Sequence, residues 1–428
     1  VKIKVDRKQE FEQIFNEAWK IQRDWFYDPG MHAVDWEGIA DKYRPLVASC
    51  GNRSDLNYLI GEMIGELNIG HTYVYGGEMG DRGDRIGVGM LGADFTPDDS
   101  GFMKISHIVP GLSWRRSESS PLAEPGCGIS AGDYIVAVNG HRVTASDNIY
   151  SFLEDQAGKT VTVAYNRRPT ADGAEECRVR PIRSEFGIRY REWVERNRAI
   201  VDEASGGTIG YMHLPAMMEN GLIEFAREWY PNYTKKGFII DERYNGGGFV
   251  GDQIIDRLER QVWALTKPRE GMVLTDPERT FHGHFVVLIN EDTGSNGEYF
   301  AEAIKTKGLA TVIGRRTWGG AVGIEPHQDV VDGGVITPPQ FGIYSLDGSE
   351  WMIEGHGVEP DIDVENPPAE VLAGGDPQLQ AAIGHLKQQM VDDPKTIPGP
   401  PPYPDKSKPE FTVQTPEYRV DPSGAGGK

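Results

Sequence analysis

The chain has 428 residues, is 38% hydrophobic and carries a formal net charge of −21. That length supports roughly three domains of about 150 residues, and the acidic balance repels polyanions, which argues against a nucleic-acid partner. No apolar run of about 18 residues exists, so no segment reads as a membrane span. The first residue is Val rather than Met, which fits a piece or processed form of a longer protein, with loss of a signal peptide among the options. Cys50, Cys127 and Cys177 are scattered and odd in number. They suggest neither a disulfide framework nor a zinc site, and buried structural thiols are expected.

Apolar residues from Phe11 to Phe26 recur at helical spacing until Asp28-Pro-Gly stops them, which predicts one long amphipathic helix over 7–27. A second helix is expected over 35–47. A third starts at Ser54 as N-cap and runs through Leu56, Leu59, Ile60, Met63, Ile64 and Leu67 until Asn68 and Gly70 end it. His71 follows at once, before a strand-like Thr72-Tyr-Val-Tyr. On the residues alone, a histidine at such a corner is a structural or surface residue.

Residues 85–181 read as a separate β-rich unit. Strand patterns are closed by turns, and Asn139-Gly140 is a strong hairpin signal. A short helix is expected over 148–156. The pattern Pro121-Leu-Ala-Glu-Pro-Gly followed by Gly132-Asp-Tyr-Ile-Val-Ala-Val-Asn-Gly resembles a PDZ domain, a module that takes extended chain ends onto its sheet edge. Packing beside the next domain as a lid is the alternative.

From about residue 186 to 390, strands and helices alternate, as in an α/β sheet whose strand ends carry the site. Gly237-Phe-Ile-Ile-Asp leads into Asn245-Gly-Gly-Gly, where backbone amides can approach a ligand closely or simply form a flexible loop. Val286 to Ile289 is a buried-strand run, and Phe300, Ala301 and Ile304 open a helix, with Ser295 between them. Ser295 can cap that helix, with Glu298 completing a capping box, or its hydroxyl can be presented by the turn as a nucleophile. Glu354 lies at a strand end before a glycine-rich turn that also holds His356. Beyond residue 390, Pro398-Gly-Pro-Pro-Pro-Tyr-Pro and the final Gly/Ser/Lys residues read as an extended tail.

Four stretches in order, Asn68-Ile-Gly-His-Thr-Tyr, Asp241-Glu-Arg-Tyr-Asn-Gly-Gly-Gly, the Ser295 turn and Ile353-Glu-Gly-His-Gly, with the PDZ-like segment between the first two, resemble the tricorn-type branch of the tail-specific serine peptidases. The resemblance runs from about residue 6 to 390. It implies an α/β multidomain fold, with an N-terminal helical segment (1–84) carrying the catalytic histidine and a PDZ-like β-rich domain (85–181). An α/β sandwich catalytic domain (186–390) and a tail (391–428) follow. It implies hydrolysis of peptides or unfolded chain ends through an acyl-enzyme, with Ser295 as nucleophile, His71 as general base and Glu354 as orienting acid. The amides of Gly247 and Asn296 would form the oxyanion hole. The family's Ser-Lys branch places a lysine near Trp318, yet no lysine lies between Gly308 and His385, so the base falls to His71. One departure is Gly70, where the family often has a serine that relays the histidine to the glutamate. Direct or water-mediated orientation of His71 is then expected. His356 is the rival base.

The resemblance implies no metal or organic cofactor. It implies homo-oligomers and, in longer chains, preceding β-propellers. The sequence leaves the compartment open between cytoplasm and periplasm, with the cytoplasm slightly favoured. A silent PDZ-based peptide-binding module and a serine hydrolase of a non-peptide ester are the competing functions.

Overall fold

A computed structural model describes residues 5–80, 83, 85–112, 118–325 and 330–407; the end of the expected tail lies outside the described residues. The N-terminal part is helical: α1 (Arg7–Trp25), α2 (Trp36–Tyr43) and α3 (Arg53–Gly65). The second helix is shorter than the pattern suggests, because Pro45 supplies no amide hydrogen and the chain continues as a 3-10 helix over Arg44–Ser49. The third begins one residue before Ser54, since the Asn52 side chain accepts from Asp55 N–H at 3.1 Å and is the cap. Strand β1 (Tyr73–Gly76) follows.

The next unit is a six-stranded antiparallel sheet of β2 (Ala93–Pro97), β3 (Met103–Ile108), β4 (Tyr134–Val138), β5 (His141–Arg142), β6 (Val161–Asn166) and β7 (Glu175–Val179). Asn139 and Gly140 both sit at positive φ between β4 and β5, as a two-residue hairpin turn needs. The helix expected over 148–156 is a 3-10 turn, Ile149–Leu153. Cys127 and Cys177 are not free thiols: they form a disulfide with Cα atoms 5.2 Å apart, leaving Cys50 as the free cysteine. Their 50-residue separation hid the pairing, because only the folded sheet brings the loop before Ile129 against β7.

The remainder comprises α4 (Phe186–Ser205), β8 (Ile209–His213), α5 (Glu219–Asn232), β9 (Gly237–Asp241), α6 (Gly251–Leu258), β10 (Ala264–Thr266), β11 (Leu274–Asp276) and β12 (His284–Ile289). After these come α7 (Asn296–Thr306), β13 (Thr311–Gly314), β14 (Gly323–Ile324), β15 (Gly334–Thr337), β16 (Pro339–Phe341), β17 (Ile362–Asp363), α8 (Pro368–Leu372) and α9 (Pro377–Asp392). The central sheet runs β17-β13-β12-β9-β8, all parallel. Its middle strands are buried on both faces, with α6 and α7 against Phe238 and Val287 on one side and α4 and α9 against Ile239 and Val286 on the other.

The N-terminal helices are not a free-standing unit. β1 pairs antiparallel with β15, and Val322, Val330 and Ile336 enter the same core as Ile14, Phe15 and Leu56. That core fixes the start of β1 beside the 321–324 segment, and so sets the position of His71. Among the described residues, no helix is long and apolar enough to cross a membrane.

Candidate active site

Ser295 sits where β12 turns into α7, at φ 53 and ψ −123. An ordinary N-cap serine adopts extended backbone, whereas a non-glycine residue at this angle is strained and is held there by its surroundings. The strain has visible anchors. Gly294 N–H donates to the Asn245 carbonyl at 2.9 Å, and Ser295 N–H donates to Glu298 Oε2 at 3.0 Å. The Glu298-to-Ser295 bond of a capping box is therefore present, but the backbone angle at Ser295 is not that of an ordinary N-cap.

Glu298 does more than cap. Its carboxylate also accepts from Thr317 Oγ1 (2.6 Å), Gly319 N–H (2.6 Å) and Gly320 N–H (3.1 Å). Burial pushes this acid up, while these bonds favour its charged form and pull it down. It thereby ties the Ser295 turn to the 317–320 turn, whose Trp318 ring meets the His71 ring edge-on at 5.5 Å. The helix pattern identified Glu298 only as a cap. Its position three residues after Ser295 was the available signal.

His71 is 6% exposed. Its Nδ1 lies 2.7 Å from the Val322 carbonyl. A carbonyl only accepts, so the proton sits on Nδ1 and the Nε2 lone pair is left for a proton from elsewhere. Burial lowers the His71 pKa, partly offset by the Val322 bond and by the charge of Glu354, so the neutral ring is the favoured form.

Glu354 accepts from the amides of Ala321 (2.7 Å) and Val322 (2.8 Å) through one oxygen. The acid thus holds the peptide segment whose next carbonyl holds the imidazole. Among the described residues neither a serine hydroxyl nor a carboxylate contacts the His71 ring directly, and two amides and one carbonyl of the 321–322 backbone link it to Glu354. His356 is exposed and its Nδ1 meets the Gly357 carbonyl at 2.9 Å.

Ser295, His71, Asn296 and Gly246 to Gly248 line one cavity of about 260 Å³, together with Phe249, Tyr299, Gly323, Ile324 and Phe341. Gly247, at φ 96, has no room for a side chain: a Cβ there would stand 2.6 Å from Ser295 Cβ. Its N–H donates to Asn245 Oδ1 at 2.9 Å. Met217 pairs with Gly248 through its two neighbours, Gly247 C=O and Phe249 N–H, which turns the Gly248 amide away from Met217. Neither the Gly248 nor the Asn296 amide has a hydrogen-bond partner among the described residues, and Asn296 Oδ1 accepts from Gly251 N–H (2.9 Å). Asn245, which the sequence marked only as the start of a glycine run, braces both the glycine turn and the Ser295 turn. Among the described residues, no group of three or more His, Cys, Asp or Glu could hold a metal ion.

Residues 208–364 match peptidase family S41, residues 7–65 the tricorn protease C1 domain and residues 89–184 the tricorn protease PDZ domain. Tricorn protease homolog 1 of Streptomyces coelicolor is 35% identical over 395 residues, covering 92% of this chain and 37% of the relative. Tricorn protease of Thermoplasma acidophilum is 35% identical over 394 residues, covering 92% of this chain and 36% of its own length. The crystal structure of the tricorn protease superposes with a TM-score of 0.84 at 36% identity, over 90% of this chain and 37% of that one. The chain therefore spans little more than a third of the length of these relatives.

Proposed function

We propose that this chain, which belongs to the tricorn-type branch of peptidase family S41, is a serine peptidase acting on peptides or unfolded chain ends. The observation that carries the reading is the meeting of His71 with the strained Ser295 turn in one cavity, with the histidine proton committed to Nδ1. Ser295 Oγ attacks the scissile carbonyl carbon as His71 Nε2 takes the hydroxyl proton. The resulting oxyanion is met by the amides of Asn296 and the glycine turn. Since Gly247 N–H is engaged by Asn245, Gly248 is the glycine whose amide serves. Collapse expels the amine, which leaves with the proton from His71, and water then cleaves the acyl-enzyme by the same path in reverse. Glu354 acts as a positioning acid through the 321–322 backbone and stabilises the imidazolium.

The division near 84, 181 and 390 is supported by the separate core of the β-rich unit, although the N-terminal helices share theirs with the 322–336 strands. Oligomers and preceding β-propellers remain part of the proposal on family grounds. The Cys127–Cys177 bond supports an oxidising compartment over the cytoplasm. Deleting 85–181 should impair cleavage of long peptides more than short ones; equal losses would favour a lid.

The direct test is labelling with a fluorophosphonate, followed by mass spectrometry of the modified residue. Labelling at Ser295 with hydrolysis of peptides supports the reading. Labelling with turnover of esters alone would move the substrate class, and no labelling of folded protein would leave a silent peptide-binding module.

A further inference from the structure

A second cavity, of about 700 Å³, lies at the same end of the central sheet as the candidate active site. It is larger than the catalytic one and is lined chiefly by rings and aliphatic groups, among them Phe186, Tyr190, Trp193, Ile223 and Tyr244, with His213 in its wall. Its place in the fold follows from the strand order. His213 ends β8, Tyr244 and Gly246 follow β9, and Ser295 follows β12, and these three strands are parallel neighbours. One loop, 242–250, therefore walls both cavities: Tyr244 faces the larger and Gly246 to Gly248 the smaller.

Two strand spacings separate β8 from β12, about 10 Å at roughly 4.8 Å each. An extended polypeptide rises about 3.3 Å per residue, so roughly three residues bridge that span. The charges around the cavity are already paired. Arg191 makes two bonds to Glu224 (2.6 and 3.0 Å), and Arg189 bonds Asp94 and Glu185 at 2.7 and 2.8 Å. A charged occupant would find no uncommitted arginine among these, whereas an aromatic or aliphatic group would find matching walls.

Tyr244 supplies an independent observation. It is a non-glycine residue at φ 67, it is 57% exposed, and its ring meets Trp193 at 6.2 Å. The strained backbone, held by the bond from Tyr244 N–H to Asn290 Oδ1 at 2.8 Å, keeps a large ring at the cavity instead of folding it away.

We propose that this cavity is a substrate subsite that takes an aromatic or large aliphatic side chain of the polypeptide, about three residues from the bond under attack. The proposal rests on the peptidase reading for its occupant. The cavity lies on the side where the PDZ unit meets α4, since Glu118 pairs with Arg191 at 3.4 Å. A chain passing from that unit to Ser295 crosses it.

The test is peptide binding to the Ser295→Ala protein by fluorescence polarisation, using a Gly/Ser peptide in which one Phe is moved between about two and five residues to either side of the expected cleavage point. At one position Phe should tighten binding by about tenfold or more over Gly, the scale of burying one aromatic ring. Ile223→Arg should bring that Phe-to-Gly ratio close to one, and Phe186→Ala, at a residue 80% exposed, should reduce it. The same ratio in both variants as in the parent, or no preferred position for Phe, overturns the proposal. Turnover of the same peptides by the chain with Ser295 intact reports on the peptidase reading separately. Binding preference without turnover would remove that reading and keep the subsite; turnover without preference would do the reverse.

Discussion

Two buried histidines stand in the walls of the two cavities, and they are built to opposite ends. His213 has both ring nitrogens engaged: Nε2 donates to the Arg243 carbonyl at 2.8 Å and Nδ1 accepts from Tyr190 Oη at 2.9 Å. His71 has Nδ1 engaged by Val322, and no partner for Nε2 is present among the described residues. Burial lowers the pKa of both, so neither titration nor depth separates them. What separates a base from a strut is the nitrogen left over and the cavity it opens on, which for His71 also holds Ser295.

The largest effects should come from removing the proposed reacting pair. Ser295→Ala should abolish turnover and covalent labelling while the folded protein persists, and His71→Ala should cost at least about 10³-fold in kcat, because such groups act as a unit. His356→Ala should cost far less than tenfold. Near-normal turnover in the His71 variant beside a dead His356 variant would reverse the assignment of the base.

Next in size is Glu354→Gln, expected to lower kcat about 10- to 100-fold by weakening the hold on the 321–322 peptide. The pH profile gives the sharper reading. With the neutral imidazole as the proposed base, kcat/KM should fall tenfold per unit on the acid side, with a midpoint below the ordinary histidine value of about 6.5, since burial is the larger influence. Glu354 raises that midpoint, so its neutral replacement should move it lower still. An unmoved midpoint in Glu354→Gln would leave the acid a structural brace alone.

These two sites also show what a sequence reveals. The Ser295 turn was legible because strand, turn and helix are contiguous, and the hydrophobic period changes across them. His71 was visible only through resemblance to a family, since nothing near it in the chain announces a partner. The route from Glu354 to His71 was not legible at all, because its links are backbone amides and a backbone carbonyl of Ala321 and Val322, which any residues supply. The Cys127–Cys177 bond escaped for a related reason: pairing depends on the sheet, not on spacing. Asn139-Gly140, by contrast, states its turn locally, and the hairpin stands where it was expected.

The smallest effect on chemistry should follow from replacing the other histidine, and it makes the comparison sharpest. His213→Phe keeps a ring in the buried space beside Trp193, whose centroid lies 4.8 Å away, but leaves the Arg243 carbonyl without its donor and Tyr190 without its acceptor. Leaving buried polar groups unpaired costs about 1–3 kcal/mol each, so thermal unfolding should move down by several degrees. Turnover on short peptides at a temperature where the variant is folded should fall by less than about tenfold, because the ring touches no reacting atom. A loss near that of His71→Ala in a protein with unchanged melting would mean that His213 takes part in the reaction. The leftover nitrogen would then be no guide to which histidine is the base.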